Sequence, residues 1–132
     1  MGETFTLAAI GAGAFMLLDG IWLGLLMKGF YRDQLAPIVR LRDGGIAPNW
    51  PAALVVYALL GAGIAVFVMP RASTVSQAAA CGALFGFVVY GVYDFTNYST
   101  LRQWPFVLTL ADVAWGTMAS AACAAVMRVA VR

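Results

Sequence analysis

Apolar residues fill four long stretches of the chain, and short polar segments separate them. The stretches run from about residue 5 to 27, 51 to 69, 75 to 98 and 105 to 127, and are called spans 1 to 4 here. A helix needs about 20 apolar residues to cross the roughly 30 Å hydrocarbon core of a bilayer. The pattern therefore predicts an all-α, integral membrane four-helix bundle that forms a single domain over residues 1–132.

Tryptophan–proline pairs stand at the start of spans 2 and 4, as Trp50-Pro51 and Trp104-Pro105. Proline is tolerated in the first turn of a helix, where its missing N–H group has no partner to lose. Tryptophan is favoured where a membrane meets water. Both pairs therefore indicate points where the chain enters the membrane.

The connection between spans 1 and 2 is the only long one, and its pattern changes to that of a surface helix. Tyr31, Leu35, Ile38 and Val39 recur at helical spacing, with Arg32, Asp33 and Arg40 elsewhere on the helical wheel. This pattern predicts a short interfacial amphipathic helix over residues 30–41, bent at Pro37 and ended by two glycines.

The composition supports the membrane assignment and excludes several classes of function. Hydrophobic residues make up 63% of the chain and charged residues 11%, whereas a soluble domain carries about 25% charged residues. The net charge of +2 and the lack of a basic run argue against a nucleic-acid partner. The chain contains no histidine, the commonest general base and metal ligand, and we expect neither a bound metal nor a cofactor.

Basic residues flank the spans unequally, which predicts an orientation. The loops after spans 1 and 3 carry five of them, and the termini and the loop after span 2 carry three: Lys28, Arg32, Arg40, Arg42 and Arg102 against Arg71, Arg128 and Arg132. Basic residues are enriched on the cytoplasmic side of a membrane. The first and third loops are therefore expected in the cytoplasm, and both termini outside.

Three of the six acidic residues lie inside spans, and these are the best functional candidates. Asp19 lies eight residues before the end of span 1, Asp94 four before the end of span 3, and Asp112 seven into span 4. At 1.5 Å per residue, all three lie about 6 to 12 Å below the same interface. An ionisable group at this depth is expensive and is usually functional.

Helical spacing places further polar and aromatic residues on the same faces as these aspartates. Spans 1 and 4 each carry Asp-x-x-Trp, and an indole N–H can donate to a carboxylate. The predicted ligand-binding set is Asp19, Trp22, Tyr90, Tyr93, Asp94, Asn97, Asp112 and Trp115, with the three aspartates as candidate catalytic groups. The glycine pairs Gly20/Gly24 and Gly82/Gly86 predict close helix packing.

Three ordered motifs carry a resemblance to a known family: LDGIWLG at 18–24, YDFTNYSTL at 93–101 followed by WP at 104–105, and DVAWG at 112–116. The chain resembles a bacterial family of small four-span predicted membrane proteins catalogued as a domain of unknown function. The resemblance implies a multi-pass protein of the bacterial inner membrane. It implies no activity, substrate or cofactor.

Three hypotheses about function remain open at this stage. The first is a buried acidic and aromatic pocket in one leaflet that binds a lipid-like or small polar ligand. The second is an acid–base membrane enzyme that acts on a lipid or isoprenoid substrate, with aspartates of different protonation as acid and base. The third is a structural or assembly subunit. The expected partners are membrane lipid and either further copies of the chain or a larger membrane complex.

Overall fold

Helices account for most of the chain in the computed structural model, which describes residues 1–131. Arg132, one of the basic residues counted for orientation, lies outside the described residues. The elements are five α-helices and two very short strands: α1 (Gly2–Ile21), α2 (Lys28–Leu35), β1 (Leu41–Arg42), β2 (Gly45–Ile46), α3 (Trp50–Gly63), α4 (Val75–Thr100) and α5 (Phe106–Ala130).

Two of these helices continue beyond their α-helical part with a change of pitch. A π-helical turn, Trp22–Leu26, extends α1. A π-helical turn, Ile64–Val68, and a 3₁₀ turn, Met69–Arg71, extend α3. In residues 1–131, the four continuous helices long and apolar enough to cross a membrane are Gly2–Leu26, Trp50–Arg71, Val75–Thr100 and Phe106–Ala130. The all-α fold with four membrane-length helices is as predicted.

The helices pack as two pairs joined through α1 and α5. Helix α4 lies along α5, α1 lies along α3, and α1 also contacts α5. The buried centre contains Phe15, Ile64, Leu108 and Met127, each fully or almost fully shielded. Large apolar side chains such as Phe5, Leu59, Leu84 and Val92 remain exposed on the outside of the bundle. That exposed surface suits contact with lipid, since lipid tails are as apolar as leucine.

The connection between spans 1 and 2 differs from its predicted form. Helix α2 ends at Leu35 instead of continuing to residue 41, and Leu41 and Arg42 pair with Ile46 and Gly45 in a small antiparallel hairpin. Asp43 and Gly44 have φ angles of 52° and 77°. Positive φ at both central residues defines the tight hairpin turn for which Asp-Gly is a favoured sequence. Gly44 therefore lies in the hairpin turn and Gly45 begins strand β2, so neither glycine caps a helix.

Only one of the two predicted glycine pairs lies at a close helix contact. A Cβ on Gly82 would lie 2.6 Å from the Ser120 carbonyl oxygen, and one on Gly86 would collide with the Gly116 carbonyl oxygen. This pair lets α4 approach α5 closely. The prediction was wrong for Gly20 and Gly24, because no described atom lies within 4 Å of a Cβ built on either residue.

Candidate functional site

A cavity of about 660 Å³ opens beside Gly20 and Gly24, between the helices that carry the buried aspartates. Its wall comes from α1, α3, α4 and α5, and residues of α2 and the hairpin contribute on one side. Most of the lining is apolar, with two carboxyl groups and seven aromatic side chains: Asp19, Asp112, Tyr31, Trp50, Tyr57, Tyr90, Tyr93, Trp104 and Trp115. This volume lies within the usual range of small-molecule pockets, about 300 to 1,000 Å³.

Asp112 is held by a tyrosine from outside the spans. The Tyr31 hydroxyl donates to Asp112 Oδ1 at 2.7 Å, and it accepts a hydrogen bond from Trp22 Nε1 at 3.1 Å. Tyr31 is 5% exposed, so helix α2 directs this ring into the bundle. The bonded chain runs from α1 through α2 to α5 and fixes one carboxyl oxygen at the cavity wall.

Asp19 is held from the opposite helix. Trp115 Nε1 on α5 donates to Asp19 Oδ1 on α1 at 2.8 Å. The Tyr57 hydroxyl on α3 also lies close to this carboxyl group. An indole N–H is a donor that cannot accept, so it matches a carboxylate oxygen without ambiguity.

The two tryptophans connect these arrangements. The rings of Trp22 and Trp115 stack with centroids 4.4 Å apart and planes parallel within 1°. The indole of each Asp-x-x-Trp motif therefore points toward the other helix. Trp115 donates directly to Asp19, and Trp22 is connected to Asp112 through the Tyr31 hydroxyl. The stacked tryptophans thus link the hydrogen bonds of Asp19 and Asp112 into one connected arrangement.

Asp94 lies behind the cavity wall and is 0% exposed. Neither of its oxygens accepts a hydrogen bond from an N–H or O–H group of residues 1–131. Its close neighbour is the Asp112 carboxyl group. Two carboxyl groups can hydrogen-bond each other only when one of them carries a proton. The pair is therefore a place where a single proton can be held between two acids.

The position of Tyr31 determines the state of its hydroxyl. Burial, together with the nearby Asp112 carboxylate, raises the pKa of Tyr31 above its ordinary value. Both effects disfavour the phenolate. The Tyr31 side chain therefore remains a neutral O–H donor to Asp112 at neutral pH.

The structure distributes the sequence-predicted site residues over three positions. Five line the cavity: Asp19, Tyr90, Tyr93, Asp112 and Trp115. Trp22 and Asp94 lie next to lining residues, the first in contact with Tyr31 and Trp115 and the second beside Asp112. Asn97 lies next to Tyr93, outside the lining that the described residues form.

The sequence prediction missed several cavity residues that come from other segments. The sequence pattern predicts Tyr31 on the apolar face of a surface helix and Trp50 and Trp104 at the membrane interface, whereas all three side chains line the cavity. Tyr57 had a usable signal, because it supplies the only side-chain oxygen or nitrogen between residues 51 and 69. A single polar atom in an otherwise apolar span is a candidate for an interior contact.

Asp19 and Asp94 are buried and Asp112 is partly exposed, and none of the three carboxyl groups has an ionic partner in the described part of the chain. Both ion pairs within residues 1–131 lie in the first loop, Arg32 with Asp33 and Arg42 with Asp43. The same residues contain no group of three or more His, Cys, Asp or Glu side chains arranged to hold a metal ion. The site is therefore an acidic and aromatic cavity whose carboxyl oxygens accept from neutral donors.

Comparison with known proteins places the chain in a family. Residues 4–129 match the family described as Predicted membrane protein (DUF2177). No curated protein and no solved structure matches the chain significantly. Because the match covers almost the whole sequence and the fold has four membrane-length helices, the chain belongs to this family of predicted membrane proteins.

Proposed function

We propose that this protein binds an amphipathic, lipid-like molecule in the cavity, with the apolar part of the ligand between the helices and its polar group at Asp19 and Asp112. The observation that carries the proposal is the combination of an apolar wall with two carboxyl groups oriented by Trp115 and Tyr31. A few well-placed polar groups in a mostly apolar pocket are typical of small-molecule sites.

Two open glycines of span 1, Gly20 on α1 and Gly24 in its π-helical extension, support this proposal. Gly20 and Gly24 line the cavity, and a Cβ built on either would meet no described atom within 4 Å. Larger residues there would fill the space without disturbing a helix contact. The arrangement leaves room on the face of α1 that carries Asp19.

The proposed setting is the cytoplasmic half of the bacterial inner membrane, with loops 1 and 3 inside and both termini outside. This orientation follows from the basic residues that flank span 1. Single cysteines at Arg42 and at Ser73, in a chain with Cys81→Ala and Cys123→Ala, would test it. A membrane-impermeant thiol reagent added to intact spheroplasts should label the Ser73 position and spare the Arg42 position. The reverse pattern would overturn the orientation.

Cavity-filling substitutions provide the direct test of binding. The probe is ω-bromodecanol in maltoside micelles, because bromine quenches nearby tryptophans and three of the four tryptophans, Trp50, Trp104 and Trp115, line the cavity. We expect saturable quenching of the wild type and its loss in Gly20→Phe and Gly24→Phe. Gly13→Phe is the matched control, because Gly13 lies exposed on the same helix with no described atom near a Cβ.

The outcomes separate binding in the cavity from partition into the micelle. Saturable quenching that persists in both cavity variants, or quenching that rises linearly in all proteins, would contradict the proposal. Equal loss in Gly13→Phe would also contradict it, since the effect would then come from a phenylalanine anywhere on α1. Native mass spectrometry of the wild type should in addition show a co-purified small molecule that the two cavity variants lack.

The Asp94–Asp112 contact favours a second candidate, an acid–base enzyme acting on a lipid or isoprenoid substrate. A proton held by two carboxyl groups is a source for general acid catalysis. This hypothesis predicts that a membrane lipid extract changes chemically with wild-type protein and not with Asp112→Asn. A third hypothesis, a structural or assembly subunit, predicts instead a stable complex with a larger membrane protein that survives filling of the cavity.

A further inference from the structure

We infer that the ligand of this cavity carries a positive charge: it is a cationic amphiphile, with an ammonium group at the carboxyl groups and a hydrocarbon part along the apolar wall. This inference rests on the proposed function and deepens it by naming the ligand class. Charge complementarity between the cavity wall and its occupant carries the argument.

Among residues 1–131, the groups that donate hydrogen bonds to the carboxyl groups at the wall are neutral. Asp19 accepts from an indole, and Asp112 accepts from a phenol that accepts from a second indole. Such donors satisfy oxygen lone pairs and orient the groups, yet they add no positive charge. Asp94 adds a third, fully buried carboxyl group next to Asp112.

Four of the seven lysine and arginine side chains in residues 1–131 bond groups outside the cavity. Arg32 and Arg42 pair with the aspartates next to them in sequence. Arg71 donates to the Phe67 carbonyl oxygen at 2.8 Å, and Arg128 donates to carbonyl oxygens of Met69 and Ala72. Within residues 1–131, no arginine or lysine nitrogen lies within 4.0 Å of a carboxyl oxygen of Asp19, Asp94 or Asp112.

A cationic ligand would place beside these carboxyl groups the positive charge that no described side chain provides there. A charged pair gains far more in a water-poor cavity than in bulk water, since the attraction scales inversely with the dielectric constant. The aromatic rings that line the same space, Trp115, Tyr57 and Tyr90 among them, can also attract a cation through their faces. A neutral or anionic amphiphile with the same chain would receive neither contribution.

Three probes with the same chain and different head groups test this inference: ω-bromodecyltrimethylammonium, ω-bromodecanol and ω-bromodecanoate, each titrated in maltoside micelles with tryptophan quenching as the readout. We expect the ammonium to bind about tenfold more tightly than the alcohol, a difference of about 1.4 kcal/mol, and the carboxylate more weakly than both. Asp19→Asn or Asp112→Asn should reduce the ammonium to the level of the alcohol.

The results distinguish the charge inference from the proposed function beneath it. If all three probes bind equally and Gly20→Phe weakens all of them, the charge inference is overturned and the cavity remains a binding site. If no probe quenches saturably, both fail. If Asp19→Asn and Asp112→Asn both bind the ammonium more tightly than the alcohol by the same factor as the wild type, the preference does not come from these carboxyl groups. The inference is then overturned. Circular dichroism of each variant establishes that the helices are intact.

Discussion

Trp115 on α5 donates its indole N–H to Asp19 on α1 at 2.8 Å, across the centre of the bundle. Asp112, one turn before Trp115, is bound in turn by Tyr31, which accepts from Trp22, one turn after Asp19. The two helices are therefore connected twice through exchanged aromatic donors. In both Asp-x-x-Trp motifs the aspartate accepts and the tryptophan donates: Trp115 donates directly to Asp19, and Trp22 reaches Asp112 through the Tyr31 hydroxyl.

The first prediction concerns the bond between Trp115 and Asp19. Trp115→Phe retains an aromatic ring against Trp22 and removes the N–H group that reaches the carboxyl group. A buried acceptor that loses its donor destabilises the fold by about 1 to 3 kcal/mol. The free energy of unfolding, measured by dodecyl sulfate titration in mixed micelles, should fall by this amount.

Trp50→Phe is the matched control for that measurement. The Trp50 side chain is 60% exposed, so its replacement should leave the unfolding free energy nearly unchanged. If both variants unfold like the wild type, the indole N–H of Trp115 does not stabilise the bundle.

The second prediction concerns the pH dependence that Tyr31 confers. Its raised pKa lies above the ordinary tyrosine value of about 10, so the folded protein retains the proton at pH values where the unfolded chain loses it. The resulting stabilisation is complete below about pH 10 and declines as the pH rises further. Tyr31→Phe should therefore be less stable than the wild type at neutral pH, and the difference should shrink above about pH 10.

Unfolding curves from about pH 8 to about pH 11 would measure this difference, with the titration window set by the ordinary tyrosine value. Tyr98→Phe serves as the control, because Tyr98 is 47% exposed on the outside of α4. A wild-type advantage over Tyr31→Phe that stays constant across the whole range would show that Tyr31 does not titrate with unfolding.

The third prediction concerns the close contact between α4 and α5. A Cβ on Gly86 would collide with the backbone of Gly116 and with Ser120. Gly86→Ala should therefore destabilise the protein by about 1 to 3 kcal/mol, as overpacking of a tight contact does. Thermal unfolding in maltoside micelles, followed by circular dichroism, is the measurement.

Gly91→Ala on the same helix provides the contrast. No described atom lies within 4 Å of a Cβ at Gly91. Gly91→Ala should therefore stabilise the protein by about 0.5 to 1 kcal/mol, because alanine favours the helix more than glycine does. Equal melting temperatures for the two variants would mean that α4 and α5 do not approach at Gly86.

The fourth prediction concerns the fully buried Asp94. Asparagine has the same shape and supplies a permanent N–H donor toward Asp112, whereas the carboxyl group needs a proton to donate. Asp94→Asn should therefore melt at or above the wild-type temperature, and Asp94→Ala should melt below Asp94→Asn because it leaves Asp112 without that neighbour.

Asp33→Asn is the control for charge removal alone, since Asp33 pairs with Arg32 at the surface of the first loop. Exposed ion pairs contribute about 0 to 1 kcal/mol. A large loss of stability in Asp94→Asn, without one in Asp33→Asn, would show that the ionised form of Asp94 is required for the fold.

The sequence by itself determined the membrane class, the four helices and their approximate bounds. These are properties of consecutive residues: the length of an apolar run decides whether it can cross a bilayer, and prolines and glycines interrupt it locally. The same local reasoning singled out Asp19 and Asp112, because a charged residue in an apolar run is conspicuous without any knowledge of its neighbours.

Only the tertiary structure decided what surrounds those carboxyl groups. Tyr31 reaches Asp112 from a separate helix, and Gly20 and Gly24 border open space although their spacing is that of a close helix contact. Both facts depend on how each helix is rotated and where the first loop runs. Rotation and loop path follow from the fit of all side chains at once, and a pattern along one segment does not contain that information.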